Sequence, residues 1–300
     1  MPQLRTLRHY QLTAALCLLH GQQWKDQKTN LPRYKLTNID ADFSHVVRSR
    51  MSPGWVLPVD ALRLAVALCP DAVDVRLRFD CSTPHDVASS LTSLSRLLRF
   101  SAVCVTSGER TLLDFTDIVP LLEHFGSKTL ITLELKVLEE VDPHLILRHC
   151  TRLEVLTLSG CGFVAPSTCP AHGCSPQSIR GPQLRLLFYA DGDDFSWDHY
   201  LPQCFWRTVL FSGDRRKPNR LEGVFLESPR MTPETLDVTL RDKCLPMLRV
   251  LSVCRMPEVT MEHLMAAAPS AYLRVSKCDQ IKQRHAARIK QLAKIEVKHE

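Results

Sequence analysis

The stretch Cys150-Thr-Arg-Leu153-Glu-Val-Leu156-Thr-Leu158-Ser-Gly-Cys161 decides the fold. Its leucines follow one spacing: apolar, two positions, apolar, one position, apolar. The closing pair, Leu156 and Leu158, has the period of a strand with one buried face. The same cassette fits Ala72-Val75-Leu77, Leu130-Leu133-Leu135, Leu184-Leu187-Tyr189, Leu221-Val224-Leu226 and Leu248-Leu251-Val253. Poorer copies lie at Leu4-Leu7, Leu36-Ile39-Ala41, Leu94-Leu97 and Ser270-Leu273-Val275. A short strand that recurs along a chain predicts a repeat array, and the usual output of such an array is a binding surface.

Counted from their first apolar positions, the cassettes are 22 to 37 residues apart, with a mean near 30. Strand-plus-helix leucine-rich repeats run about 20–29 residues, and insertions lengthen some of them. Helix signals fall between the strands. Thr83-Pro84, Asp142-Pro143 and Thr232-Pro233 each pair a capping residue with a proline suited to the first helical position. Thr83 with Asp86 has capping-box spacing. The segment from Pro58 to Leu68 is helical in pattern and is ended by Cys69-Pro70. The predicted fold is therefore an α/β leucine-rich-repeat solenoid, a horseshoe with a concave parallel sheet and convex helices. It would hold nine or ten irregular repeats over residues 1–280, closed by a basic capping helix over 281–300.

In that register the leucines point inward and the residues between them face out of the sheet. The outward set includes Asp74, Arg76, Thr132, Glu134, Glu154, Thr157, Arg185, Phe188, Arg249 and Ser252. From these, Arg76, Glu134, Glu154, Thr157, Arg185, Phe188 and Arg249 are the candidate partner-binding residues. Their mixed charge suits a protein surface better than a polymer of one sign. At any single position, plain solvation of the sheet face is the default.

Twelve cysteines are many, yet 300 residues is too long for a small disulfide scaffold. Cys69, Cys150 and Cys244 precede a cassette by three or four positions, and Cys161 and Cys278 follow one by three. Cysteines locked to the repeat phase read as small apolar residues filling a recurring niche. Reduced thiols place the chain in the cytoplasm or nucleus.

The net charge of +6 is concentrated at one end. From Arg274 onward eight Lys and Arg face only Asp279, Glu296 and Glu300. The rest is nearly neutral, which argues against nucleic acid as a partner. No apolar run is long enough to span a membrane. Arg5 and Arg8 before Leu12 to Leu19 resemble a secretory signal, but the exit Leu19-His20-Gly21-Gln22 lacks the small residue a signal needs. A soluble monomer with no membrane contact is expected.

Two insertions break the rhythm: Gly160 to Pro182, and Asp191 to Asn219 with Trp197, Tyr200, Trp206 and Arg215-Arg216-Lys217. Either is a place for partner contacts, and the second could also pack its aromatics on the core. The sequence carries no phosphate loop, zinc-protease helix, nucleophile elbow or paired-cysteine motif. Cys169-Pro-Ala-His172-Gly-Cys174, near Cys161, is the one metal-like cluster, with no standard spacing. Asp191-Gly192-Asp193-Asp194 lacks the ligand alternation of a calcium loop and reads as an acidic turn. The expectation is a non-enzymatic chain with no cofactor and no metal.

The quoted stretch resembles the repeat of the cysteine-containing leucine-rich-repeat class found in F-box proteins. Cys69-Pro70-Asp-Ala72 and Cys244-Leu-Pro246-Met-Leu248 resemble its opening. The similarity covers residues 60 to 280 and is specific for fold, not for partner. It implies the substrate-binding arc of a ubiquitin-ligase receptor, with an F-box recruiting the adaptor subunit. No F-box is found: the one early Leu-Pro, Leu31-Pro32, is not followed by its pattern of apolar helices. The expectation is therefore a fragment or short form of such a receptor, with the ligase adaptor as partner in a longer form. The alternative is a repeat scaffold or regulator without a ubiquitin role, in the manner of the ribonuclease-inhibitor fold.

Overall fold

The computed structural model describes residues 15, 19–24, 26, 31–42, 58–80, 85–105, 114–164, 183–191, 205, 220–228, 231, 245, 247–267, 272–278, 281 and 295–298. The chain divides into two compact units, Met1–Val141 and Asp142–Glu300. Both carry the same α/β leucine-rich-repeat solenoid, with strands that follow one another in chain order and pair in parallel.

The first unit holds β1 (Asn38–Asp42), α1 (Pro58–Leu68), β2 (Asp74–Phe79), a 3-10 helix (His85–Ser93), β3 (Arg99–Cys104), α2 (Phe115–Phe125) and β4 (Thr132–Lys136). Strands pair as β1–β2–β3–β4, with Ile39 opposite Val75, Val75 opposite Phe100 and Phe100 opposite Leu133. The cassette residues Ile39, Ala41, Val75, Leu77, Leu133 and Leu135 are all buried. Because neighbouring strands are in register, each apolar residue packs on its counterparts in the adjoining rungs. Helices need about 8–10 Å of lateral room and strands about 4.8 Å, so the sheet is the concave side of the unit.

Asp114 caps α2 as half of a capping box. Its Oδ1 accepts from the Thr116 and Asp117 N–H groups at 2.7 and 3.3 Å, and Asp117 Oδ2 accepts the Asp114 N–H at 2.9 Å. Phe115, Ile118, Leu121, Leu122 and Phe125 line the buried face of this helix. The third rung differs from the expected Leu94-Leu97. Its strand begins at Arg99, so the triple is Leu97-Phe100-Ala102, all buried. Leu94 instead closes the 3-10 helix, its N–H on the Leu91 carbonyl at 3.0 Å. Leu94 and Leu97 repeat the cassette's opening spacing, which concealed a triple that starts three residues later. Thr83, expected to cap an α-helix here, lies outside the described residues.

The second unit holds α3 (Pro143–His149), β5 (Val155–Ser159), β6 (Leu186–Ala190), β7 (Gly223–Glu227), β8 (Val250–Cys254), α4 (Met261–Ala267), β9 (Tyr272–Ser276) and β10 (Ile295–Lys298). Pairing runs β5–β6–β7–β8–β9–β10, all parallel. Asp142 caps α3 as its Asp-Pro signal predicts: Oδ1 accepts from the His144 and Leu145 N–H groups at 2.8 and 3.2 Å, and Pro143 occupies the first turn. Leu156, Leu158, Leu187, Tyr189, Val224, Leu226, Leu251, Val253, Leu273 and Val275 form the inward rows, and every one is buried. Of the expected basic helix over 281–300, residues 282–294 lie outside the described residues. Ile295–Lys298 is a strand that satisfies the edge of β9, with Ile295 opposite Leu273 and Val297 opposite Val275. Ile281, expected to open the helix, is buried in the turn after β9, its N–H on the Cys278 carbonyl at 3.1 Å.

The cysteines occupy two recurring niches. Cys69 and Cys150 follow α1 and α3, and their carbonyls accept the N–H of Ala72 and Leu153, each at 3.1 Å. Before β8 the same place is taken by Leu245, which accepts from Leu248 at 3.2 Å; Cys244 lies outside the described residues. The second niche follows a strand. Val137, Gly160, Arg255 and Lys277 come directly after β4, β5, β8 and β9, with φ of 56°, 60°, 51° and 53°. This left-handed step turns the chain so that the next residue, Leu138, Cys161, Met256 or Cys278, is buried. Cys161 and Cys278 donate their thiols to the carbonyls of Ser159 and Ser276 at 3.6 and 3.3 Å.

Candidate protein-interaction surface

Inward residues alternate with half-exposed ones in most strands, and the half-exposed set makes the outward face of each sheet. In the first unit that face is charged and internally paired. Arg99 Nε donates to Asp74 Oδ2 at 2.9 Å, Lys136 Nζ meets Glu134 Oε1 at 2.7 Å, and Ser101 Oγ donates to Glu134 Oε2 at 2.7 Å. Burial pushes the Glu134 carboxyl up. The bonds from Lys136 and Ser101, with the charges of Lys136 and Arg76, outweigh it and hold the group below the ordinary carboxylate range. Arg76 is exposed on β2 beside them. Of the expected outward residues, Arg76, Thr132 and Glu134 stand on this face, and Asp74 is buried under Arg99.

The second unit has a different outward face. Just before the strands, Glu154, Arg185, Glu222 and Arg249 form one row, linked through the backbone: each N–H bonds the carbonyl of the preceding member at 2.8 Å. Arg185 grips Glu222 with two bonds, Nε to Oε1 at 2.9 Å and Nη2 to Oε2 at 3.2 Å, and reaches Glu154 Oε2 at 3.5 Å. The Arg185 bonds, and secondarily the charges of Arg185 and Arg249, hold the Glu222 carboxyl low. Pairs this exposed add little stability; their effect is to hold a fixed alternation of charge along one border.

Inside that border the face is mostly apolar on β6 and β7 and polar toward β9. Val155, Leu186, Gly223, Val250 and Tyr272 share the first row of the register, and Thr157, Phe188, Phe225, Ser252 and Arg274 the second. The Phe188 and Phe225 rings stack with centroids 4.3 Å apart and planes 8° from parallel. Gly223 lies beneath: a Cβ there would come within 2.8 Å of Leu186 Cδ2 and 3.1 Å of Phe225 Cε2. The missing side chain lets Leu186 and Phe225 close over the strand. Glu227 and Arg255, paired at 2.7 Å, mark the opposite border.

The expected Glu154, Thr157, Arg185, Phe188 and Arg249 all belong to the outward face of the second unit, and Arg76 and Glu134 to that of the first. Leu186, Phe225, Val250 and Tyr272 were absent from the expected set. The alternation that locates Phe188 also locates Phe225, but only the register brings them together.

Other candidates resolve differently. Burial pushes the Cys69 thiol up to about 11 and the Cys150 thiol up to about 12, so neither is a nucleophile near neutrality. Among the described residues no group of three or more His, Cys, Asp or Glu could hold a metal ion; Cys169, His172 and Cys174 lie outside them. From the acidic turn only Asp191 is described, and it accepts hydroxyls from Tyr189 and Ser228. Of the second insertion, Phe205 is described and fully buried; Trp197, Trp206 and the basic cluster lie outside. Among the described residues no helix is long and apolar enough to cross a membrane.

No protein-family model matches the chain, and no curated protein matches it. Among solved structures it is similar to a chain in the crystal structure of the Rad7 and Elc1 complex in yeast, at 16% identity and a TM-score of 0.48. The likeness covers 95% of this chain and 83% of that one.

Proposed function

We propose that this chain is a non-enzymatic protein–protein interaction module, the substrate-recognition part of an F-box-type ubiquitin ligase or a fragment of one. In this reading residues 1–280 are the repeat domain and 281–300 closes it. The outward sheet residues meet the partner: Arg76 and Glu134 in the first unit, and Glu154, Thr157, Arg185, Phe188 and Arg249 in the second. The observation that carries the reading is the second face, where a stacked, half-exposed aromatic pair is bordered by fixed charges. Such surfaces mark recognition sites. The ligase part rests on the resemblance of the Cys150–Cys161 repeat to F-box receptors and on nothing else. Thiols held protonated by burial fit a scaffold better than a catalyst.

Affinity purification of the full-length protein from cells, read by mass spectrometry, tests the ligase part. Stoichiometric recovery of an F-box adaptor and its cullin supports it. Their absence, with other partners recovered, leaves a repeat scaffold without a ubiquitin role.

A further inference from the structure

Two short residues interrupt the outward face of the second unit, and the structure treats them differently. Gly223 on β7 is buried, because Leu186 and Phe225 close over it. Ser252 on β8 stays half-exposed, although it stands in one row between Phe225 on β7 and Arg274 on β9. Two nearly parallel rings with centroids 4.3 Å apart lie face to face, so Phe188 and Phe225 each keep one face outside their stack. Phe188 stands on β6, so the second face of Phe225 is turned towards β8. There the row offers a hydroxymethyl group where a third ring would continue the stack. Val250 and Ser252 form the floor of this slot, Phe225 one wall, and Tyr272 and Arg274 of β9 the other.

The slot has the width of one planar ring. Strands lie about 4.8 Å apart, so the columns of β7 and β9 are about 10 Å apart. A ring in contact with Phe225 at about 3.5–4 Å leaves about 6 Å to the β9 column, the reach of a guanidinium over an aromatic face. We propose that this slot takes one aromatic side chain of a partner protein, stacked on Phe225 above Ser252 and faced by Arg274 on its other side. Arg274 need not be unpaired for this. Glu296 stands opposite it on β10, and a carboxylate meets the edge of a guanidinium while the flat face remains for a ring. Charge selects the occupant. Arg185 bonds Glu154 and Glu222, Arg255 is paired with Glu227, and Glu296 is the register neighbour of Arg274. A phosphate-bearing base or an acidic segment would bring its charge against these glutamates, whereas an uncharged ring leaves the pairs intact. The inference rests on the interaction-module reading and gives it a partner chemistry.

The test is a peptide-display selection on the full chain, followed by fluorescence anisotropy with the enriched peptide made synthetically. The expected winners share a Trp, Tyr or Phe and no fixed charged residue. Ser252→Phe supplies the missing ring from the chain itself, so it should cut affinity by about tenfold or more while Tm stays at or above that of wild type. Phe225→Leu keeps an apolar side chain but removes the stacking face, and should weaken the peptide about three- to tenfold. Arg274→Ala should weaken it about two- to fivefold. Val103→Phe, at a half-exposed position of β3 in the first unit, should change nothing. AMP, a planar ring that carries a phosphate, should not displace the peptide. Winners without an aromatic residue, full binding to Ser252→Phe, displacement by AMP, or no enrichment each overturns the proposal. So does a dimer of the chain, seen by sedimentation, that Ser252→Phe dissolves, because the slot then belongs to a second copy. If Ser252→Phe melts below wild type, Phe225→Leu decides alone, and unchanged affinity overturns the slot. Winners that bind without regard to Ser252 and Phe225 remove this chemistry and leave the interaction-module reading in place; the adaptor purification decides the ligase part separately.

Discussion

Exchange of Cys150 for serine replaces one sulfur by one oxygen and tests whether the repeat-phase cysteines act as apolar filling. Cys150 is fully buried at the end of α3, its N–H on the Ile146 carbonyl at 2.8 Å and its carbonyl on the Leu153 N–H. A hydroxyl placed in that niche without a new partner costs about 1–3 kcal/mol. Cys150→Ala removes about one methylene equivalent of apolar contact, about 0.8 kcal/mol, plus a small void. The expected order of stability is wild type, then alanine, then serine. For a unit of this size about 2 kcal/mol lowers Tm by roughly 4–8 °C, which urea titration and calorimetry both resolve. The thiol supplies a second measurement. Raising its pKa from 9.0 to about 12 leaves about a thousandth of the ordinary thiolate at pH 8, because each unit is a factor of ten. Iodoacetamide labelling of Cys150, followed by peptide mass mapping, should be slow in the native protein and fast in urea. Serine as stable as cysteine, alanine less stable than serine, or rapid native labelling would each refute the filling argument.

Val137 holds φ 56° with a β-branched side chain, so Val137→Gly should raise stability by about 1 kcal/mol by thermal melt, relieving the left-handed penalty. Acid titration should distinguish Glu134→Gln from wild type in a fixed direction. Because the folded carboxyl is held low, its contribution is full above the ordinary pKa of about 4.3 and is lost as pH falls through the lower folded value. The two unfolding curves should separate near pH 7 and converge in acid. Gly223→Val pushes against Leu186 and Phe225, so it should destabilise the unit by about 1–3 kcal/mol while markedly weakening any ligand of that face; a binding titration beside a melt checks both halves.

The strand rungs were legible where both inward positions carry large aliphatic residues, as at Leu133-Leu135 and Leu251-Val253. The third rung blurred because Leu94 and Leu97 offer the cassette's opening spacing three residues ahead of the true triple Leu97-Phe100-Ala102. Helix caps were legible at Asp142-Pro143 but not at Asp114, whose partner Asp117 is a less common residue for the return bond of a capping box. The ending strand was hidden because Ile295 and Val297 alternate over too few residues, amid basic neighbours, to outweigh a helical reading. The candidate surface was half legible. Phe188 and Arg185 follow from periodicity, but the Phe188–Phe225 stack depends on a register set by loops of unequal length, and Gly223 has meaning only once its neighbours are known.

Among the described residues, each strand pairs only with its neighbours in chain order, and within a unit no pairing closes distant parts of the chain. Such a ladder can fray from an end one rung at a time, the remaining rungs keeping their partners. Amide exchange should then grade along the ladder instead of rising to a single plateau. A lesion at one rung would be felt by its two neighbours and fade beyond them, so insertions between rungs could accumulate in such a protein without unmaking it.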